Sequence, residues 1–142
     1  MKKYVDIAFG ELYHEIYFIR DYEINIFNQS FVAELEVEVS DFNRITNFHR
    51  LTFIEFEKNL NQIIKKVEVA VINYCNKFYN ASNKDNIFQK LTLTNIGING
   101  RCDKNKRIIG FVIDDEYDPE MGIGIEMINE EVHAIGTQHL VC

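Results

Sequence analysis

From about Leu51 to Tyr79 the apolar residues recur at steps of three and four: Phe53, Phe56, Leu60, Ile63, Ile64, Val67, Val71, Tyr74, Cys75 and Phe78. That spacing predicts one long amphipathic helix with a continuous stripe down one side. Thr52, with Glu55 three residues on, reads as a capping box at its start, and the Asn80-Ala81-Ser82-Asn83 cluster ends it. A helix this long with one apolar side must cover something, and the flanking sequence supplies the surface.

The first third reads as β-structure. Glu15–Ile19 and Tyr22–Ile26 are two aromatic and β-branched runs on either side of Asp21. Phe31 to Val39 alternates strictly: Phe31, Ala33, Leu35, Val37 and Val39 fall on one face, and Glu34, Glu36 and Glu38 on the other. One face of the sheet is therefore buried and the other meets water, as in an antiparallel sheet. After the helix, residues 91–98, 107–114, 121–128 and 131–141 read as further strands. Turns are expected at Asp103-Lys104-Asn105-Lys106 and Asn129-Glu130. Gly122 and Gly124 share a face, so either the helix or a neighbouring backbone is expected to pack close there. The expected fold is α+β: antiparallel sheet packed against one long central helix of about residues 51–79, in the order strands, helix, strands.

With 142 residues, no linker, no repeat and no low-complexity tract, one domain spanning 1–142 is the economical reading. Aromatics make up 13% of the chain, enough to fill its core. No apolar run approaches the ~20 residues that cross a bilayer, and Asp6, Gly10 and Glu11 interrupt any leader-like stretch behind Lys2-Lys3. Cys75, Cys102 and Cys142 are odd in number and scattered, so reduced thiols and a cytoplasmic location are expected.

Charge is segregated along the chain. Residues 1–50 carry nine acids and five bases, 51–109 five acids and ten bases, and 110–142 eight acids with no Lys or Arg, within a net −7. The acidic end is concentrated in Asp114, Asp115, Glu116, Asp118 and Glu120, around Tyr117 and Pro119. Such a run is either a solvated loop or a docking surface that steers a cationic partner. Glu34, Glu36 and Glu38 either extend that surface or guard a sheet edge against pairing. Lys58, Lys65, Lys66 and Lys77 read as the solvated side of the helix, not a nucleic-acid footprint, so no nucleic-acid partner is expected.

Catalytic patterns fail in turn. Gly97, Gly100, Gly122 and Gly124 match no phosphate-binding loop, and no nucleophile elbow occurs. His14, His49, His133 and His139 lack metal-ligand spacing, although His133 and His139 share strand parity. The acidic loop lacks the central Gly and closing Glu of an EF-hand. No catalytic residue, metal or cofactor is expected, and the chain reads as a binding protein, not an enzyme.

The segment from Gly110 to Ile125, with Phe111, the acidic run, then Gly122-Ile123-Gly124, resembles the hallmark of bacterial DUF6985-type domains. Those carry an aromatic-Asp pair, acidic residues, a Gly-x-Gly strand, and a hairpin ending near Ile-Gly-x-Gln-Asp, here Ile135-Gly136-Thr137-Gln138-His139. The likeness covers roughly 50–142. It departs at Tyr117, where Trp is common, at Asn129-Glu130 in place of Asn-Gly, and at His139 in place of Asp. The resemblance implies a small cytoplasmic immunity protein of a polymorphic or contact-dependent toxin system, bound to a basic cognate toxin domain such as a nuclease. Its docking residues would be Asp114, Asp115, Glu116, Asp118 and Glu120 with Glu34, Glu36 and Glu38, and Tyr117 as the aromatic anchor. The rivals are a generic interaction or regulatory domain and, third, a small-molecule binder or an enzyme. The sequence does not set the oligomeric state.

Overall fold

A computed structural model describes residues 1–39, 44–99 and 106–141. Two hairpins open the chain: β1 (Lys2–Asp6) with β2 (Gly10–His14), and β3 (Phe18–Ile26) with β4 (Gln29–Val37). The break expected at Asp21 does not occur. Phe18, Tyr22, Ile24 and Ile26 keep an inward period of two straight through it, so β3 is one strand with Asp21 turned outward. The β3–β4 turn lies at Phe27-Asn28, with φ of 57° and 56°. Two consecutive positive φ values match the right-handed twist of a two-residue hairpin. Phe27 is fully buried there, and its N–H donates to Glu68 Oε2 at 2.9 Å.

The single long helix gives way to three: α1 (Asn47–Lys58), α2 (Leu60–Tyr79) and α3 (Lys84–Gln89). The break between the first two is at Asn59, whose side-chain amide donates to the Glu55 carbonyl at 2.8 Å. A short amide side chain that takes a backbone acceptor competes with the helical ladder. The helix begins four residues earlier than the sequence suggested. Thr46 is its cap: Thr46 Oγ1 accepts from His49 N at 3.3 Å and Thr46 N donates to His49 Nδ1 at 2.9 Å. Thr52 is buried in mid-helix instead, its hydroxyl donating to the Phe48 carbonyl. The apolar stripe survives the break, since Phe53, Phe56, Ile63, Val67, Val71 and Cys75 are buried, but Phe78 is exposed.

β5 (Leu91–Ile98), β6 (Ile108–Asp115), β7 (Ile123–Ile128) and β8 (Glu131–Gly136) complete one eight-stranded sheet in the order β1 to β8. The expectation of an antiparallel sheet around one helix is therefore corrected: among the described residues it is a mixed sheet with three helices between two groups of four strands. β4 and β5 run parallel because the helical segment is a crossover between them, and the other neighbours are antiparallel. The helices lie on one face, where Leu35, Ile96, Phe111 and Ile125 meet Phe56, Ile63 and Val67 in one core.

The last expected strand stops at Gly136. A turn of 3₁₀ helix at Gln138–Leu140 then folds the chain back over the sheet. A Cβ on Gly124 would lie 2.6 Å from the Thr137 carbonyl, and one on Gly110 3.2 Å from the Val141 side chain. The close neighbour expected over the Gly122–Gly124 face is this C-terminal turn, on the side away from the helices. The expected turn at 103–106 falls largely on residues 103–105, outside the described ones, as do Gly100, Cys102 and Cys142. No helix among the described residues is long and apolar enough to cross a membrane.

Candidate functional site

The helix-free face of the sheet is assembled by strand register. One rung runs Tyr13, Ile19, Glu36, Gly97, Gly110, Glu126 and Ala134 across β2 to β8. The next runs Asp21, Glu34, Asn95, Val112, Gly124 and Gly136 across β3 to β8. A bulge between Leu93 and Asn95 shifts the alternation of β5, so that Leu91 and Leu93 before it and Ile96 and Ile98 after it all point into the core. The same bulge leaves Thr94 and Asn95 half-buried at the open face.

Between these rungs lies a groove of about 870 Å³. Its charged lining among the described residues is Glu36, Glu38, Asp114 and Glu126, with no Lys or Arg, and His139 stands on the C-terminal wall. Asn95 Nδ2 bridges Glu34 and Glu36. Burial raises the Glu36 carboxyl above its usual range, and the charges of Glu34 and Glu38 push the same way. Asp21 sits directly opposite Glu34. Like charges facing across a strand pair destabilise a sheet, and here they collect on one surface.

The acidic run at 114–120 does not form a second surface of one piece. Asp114 is exposed on the open face, where its Oδ1 accepts from Gln138 Nε2 at 3.0 Å. Asp115, expected at the docking surface, instead points inward and is 2% exposed. Its Oδ1 accepts from Tyr117 N at 2.9 Å, whereas Oδ2 has no partner of hydrogen-bonding geometry. Burial raises the Asp115 carboxyl, with Asp118 and Glu116 adding to the shift, against the amide of Tyr117 and the hydroxyl of Tyr79. Asp118 is half-buried and turns on the loop itself: its Oδ1 accepts from Met121 N, and its carbonyl from Gly122 N. Glu116 and Glu120 are exposed at the end of the sheet.

Tyr117 is half-buried, its ring stacked on Tyr79 at 4.9 Å and 13°, with Lys90 Nζ 5.4 Å from its centroid. It is thus an internal support of the loop. The two acidic clusters named from sequence meet only through Asp114, which shares the open face with Glu34, Glu36 and Glu38. Sequence reading missed Glu126 and Asp21, which only the register brings in.

No cysteine stands among the described lining residues of the groove. Cys75 is buried under the helices and burial pushes its thiol up to about 12. No group of three or more His, Cys, Asp or Glu among the described residues is arranged to hold a metal ion. His49 belongs to the α1 cap, and His14 stacks on Phe18 at 4.3 Å.

Residues 8–142 match the model of a family described as a domain of unknown function, DUF6985. Compared with curated proteins and with solved structures, the chain matches none.

Proposed function

We propose, from the premise that this chain belongs to the DUF6985 family, that it is an immunity protein that binds and neutralises a basic toxin domain through the open face of its sheet. The observation that carries this reading is the unbalanced charge around the groove on that face. Glu34, Glu36, Glu38, Asp114 and Glu126 share it, and the groove they border has no Lys or Arg among its described lining residues.

Like charges held together on a folded surface cost stability, and a cationic partner relieves that cost on binding. The same field raises the encounter rate with such a partner, by ~10 to 10³ in favourable cases. A rigid sheet backed by helices is also a suitable platform, because its side chains need little ordering on association. A toxin that presents a basic surface, such as the nucleic-acid groove of a nuclease, is the complementary shape of charge.

The test is co-purification with the C-terminal domain of any large secreted protein whose gene lies beside this chain's own, followed by titration at two salt concentrations. A one-to-one complex that weakens with salt and loses the toxin's activity supports the proposal. A complex that forms equally well with Glu36→Lys and Glu126→Lys together places the contact elsewhere.

A further inference from the structure

Four glycines of the last two-thirds of the sheet region differ in what holds them. Gly110, Gly122 and Gly124 are covered by the C-terminal turn, where a Cβ would meet Val141, Gln138 or the Thr137 carbonyl. Gly97 is different. A Cβ there would meet nothing within 4 Å, and its φ is not in the left-handed region. Neither packing nor backbone conformation calls for glycine at this position in mid-sheet. It carries a cost there, since glycine weakens a strand interior, and it leaves the floor of the groove bare.

The surroundings of that bare floor are directional. Glu36 is the direct neighbour of Gly97 on β4, and Gly110 its neighbour on β6. Val141 fills the space over Gly110, so the opening lies between Glu36 and the C-terminal turn. Asn95 spends its amide N–H groups on Glu34 and Glu36, which leaves its carbonyl oxygen as an acceptor beside the opening. The groove's described lining residues include Glu36 and Glu38 and no Lys or Arg. The groove therefore combines depth, acceptors and an unbalanced negative charge at one spot.

We propose that the groove over Gly97 seats a single cationic side chain, an arginine or lysine presented by a partner protein, with its head group on Glu36 and its stem along the bare backbone of β5. The inference rests on the reading of the open face as the toxin-binding surface, and adds that shape, not charge alone, selects the partner. A planar guanidinium suits the pair of oxygen acceptors better than an ammonium, so arginine is the preferred occupant.

The test uses an acetylated, amidated peptide of four Gly-Arg repeats as the probe, titrated into the labelled full chain and followed by amide resonances. Its controls are the same peptide with Glu or Lys in place of Arg. The amides of Glu36, Asn95 and Gly97 should move with the Arg peptide, less with Lys, and not with Glu. Gly97→Val and Glu36→Gln should each weaken binding by about tenfold. Gly97→Ala and Gly97→Val should unfold at the same temperature as the parent or higher, which separates a filled seat from a damaged fold.

If Glu36→Gln weakens binding and Gly97→Val does not, the seat is overturned while the acidic face stands. If the peptide moves Glu116 and Glu120 and not the groove, both readings fall. If the chain alone dimerises with the groove amides broadened, the occupant is a second copy and the proposal is overturned.

Discussion

Asp115→Asn should stabilise the protein, and only above acidic pH. The carboxylate is 2% exposed, and its Oδ2 has no partner of good hydrogen-bonding geometry, although the Tyr79 hydroxyl lies close enough to lower the carboxyl's pKa in part. A buried polar atom left unpaired costs about 1–3 kcal/mol, more when charged. The asparagine carbonyl can keep the bond that Oδ1 accepts from Tyr117 N. Its amide would then face the neighbouring Tyr79 hydroxyl as a donor. The folded-state carboxyl is raised, by burial first and by Asp118 and Glu116 after it. A raised acid pKa means that the folded chain holds its proton more tightly than the unfolded chain. Stability is then greatest below the unfolded value near 4 and declines as pH rises through the folded value. The variant should therefore gain about 1–2 kcal/mol at pH 8, or roughly 3–7 °C in Tm for a chain of this size, and the gain should vanish below pH 4. Urea unfolding of the parent and the variant at pH 3.5 and pH 8 reads this directly. A variant less stable than the parent by about 1 kcal/mol at pH 8 would refute the reasoning, because the charge would then have to be well paired.

Other positions give independent checks. His49 accepts at Nδ1 from Thr46 N and so donates from Nε2 to the Glu38 carbonyl, which requires the neutral ring. Burial holds its pKa below the usual value, so stability should be full above about pH 6.5 and fall as pH drops below it. A His49→Gln variant should lose that dependence in unfolding titrations. Asp6 is 4% exposed: burial raises its carboxyl, and Arg50 with the Ala8 and Phe9 amides lowers it further than that. Arg50→Ala should cost about 3 kcal/mol in denaturant unfolding by leaving a buried carboxylate short of its partner. Gly124→Ala would put a Cβ 2.6 Å from the Thr137 carbonyl, so it should destabilise by about 1–3 kcal/mol and loosen the C-terminal turn, visible as faster amide exchange at Gln138.

What was legible in the sequence was what periodicity alone determines. The Phe31–Val39 alternation gave the inward Ala33, Leu35 and Val37 and the outward glutamates, and the stripe from Phe53 to Cys75 gave the helical layer. The hidden parts each had a competing local interaction. Asn59 looked like an ordinary helix residue until its side chain took the Glu55 carbonyl. His49 plays the capping role that the usual pattern assigns to Glu or Gln, so the true helix start was missed. β1 and β2 were missed because most of their side chains are exposed and Gly10 interrupts the pattern.

The site was harder to see, because it is made by register between strands far apart in sequence. Glu126 and Gly97 carry no local signal, and become neighbours of one groove only when β4 to β7 align. The acidic run misled in the opposite sense. Five carboxylates in seven residues looked like one surface, yet the end of β6 sends Asp114 outward and Asp115 into the core.

The central claim is that the open face of the sheet, and not the 116–120 loop, is what a basic toxin domain meets. The most direct measurement is the association rate of that domain, at low salt, with two charge-reversal pairs. Glu36→Lys with Glu126→Lys should slow association by about tenfold or more with an unchanged circular dichroism spectrum, and Glu116→Lys with Glu120→Lys should slow it much less. Equal effects, or a larger effect at the loop, would contradict the account.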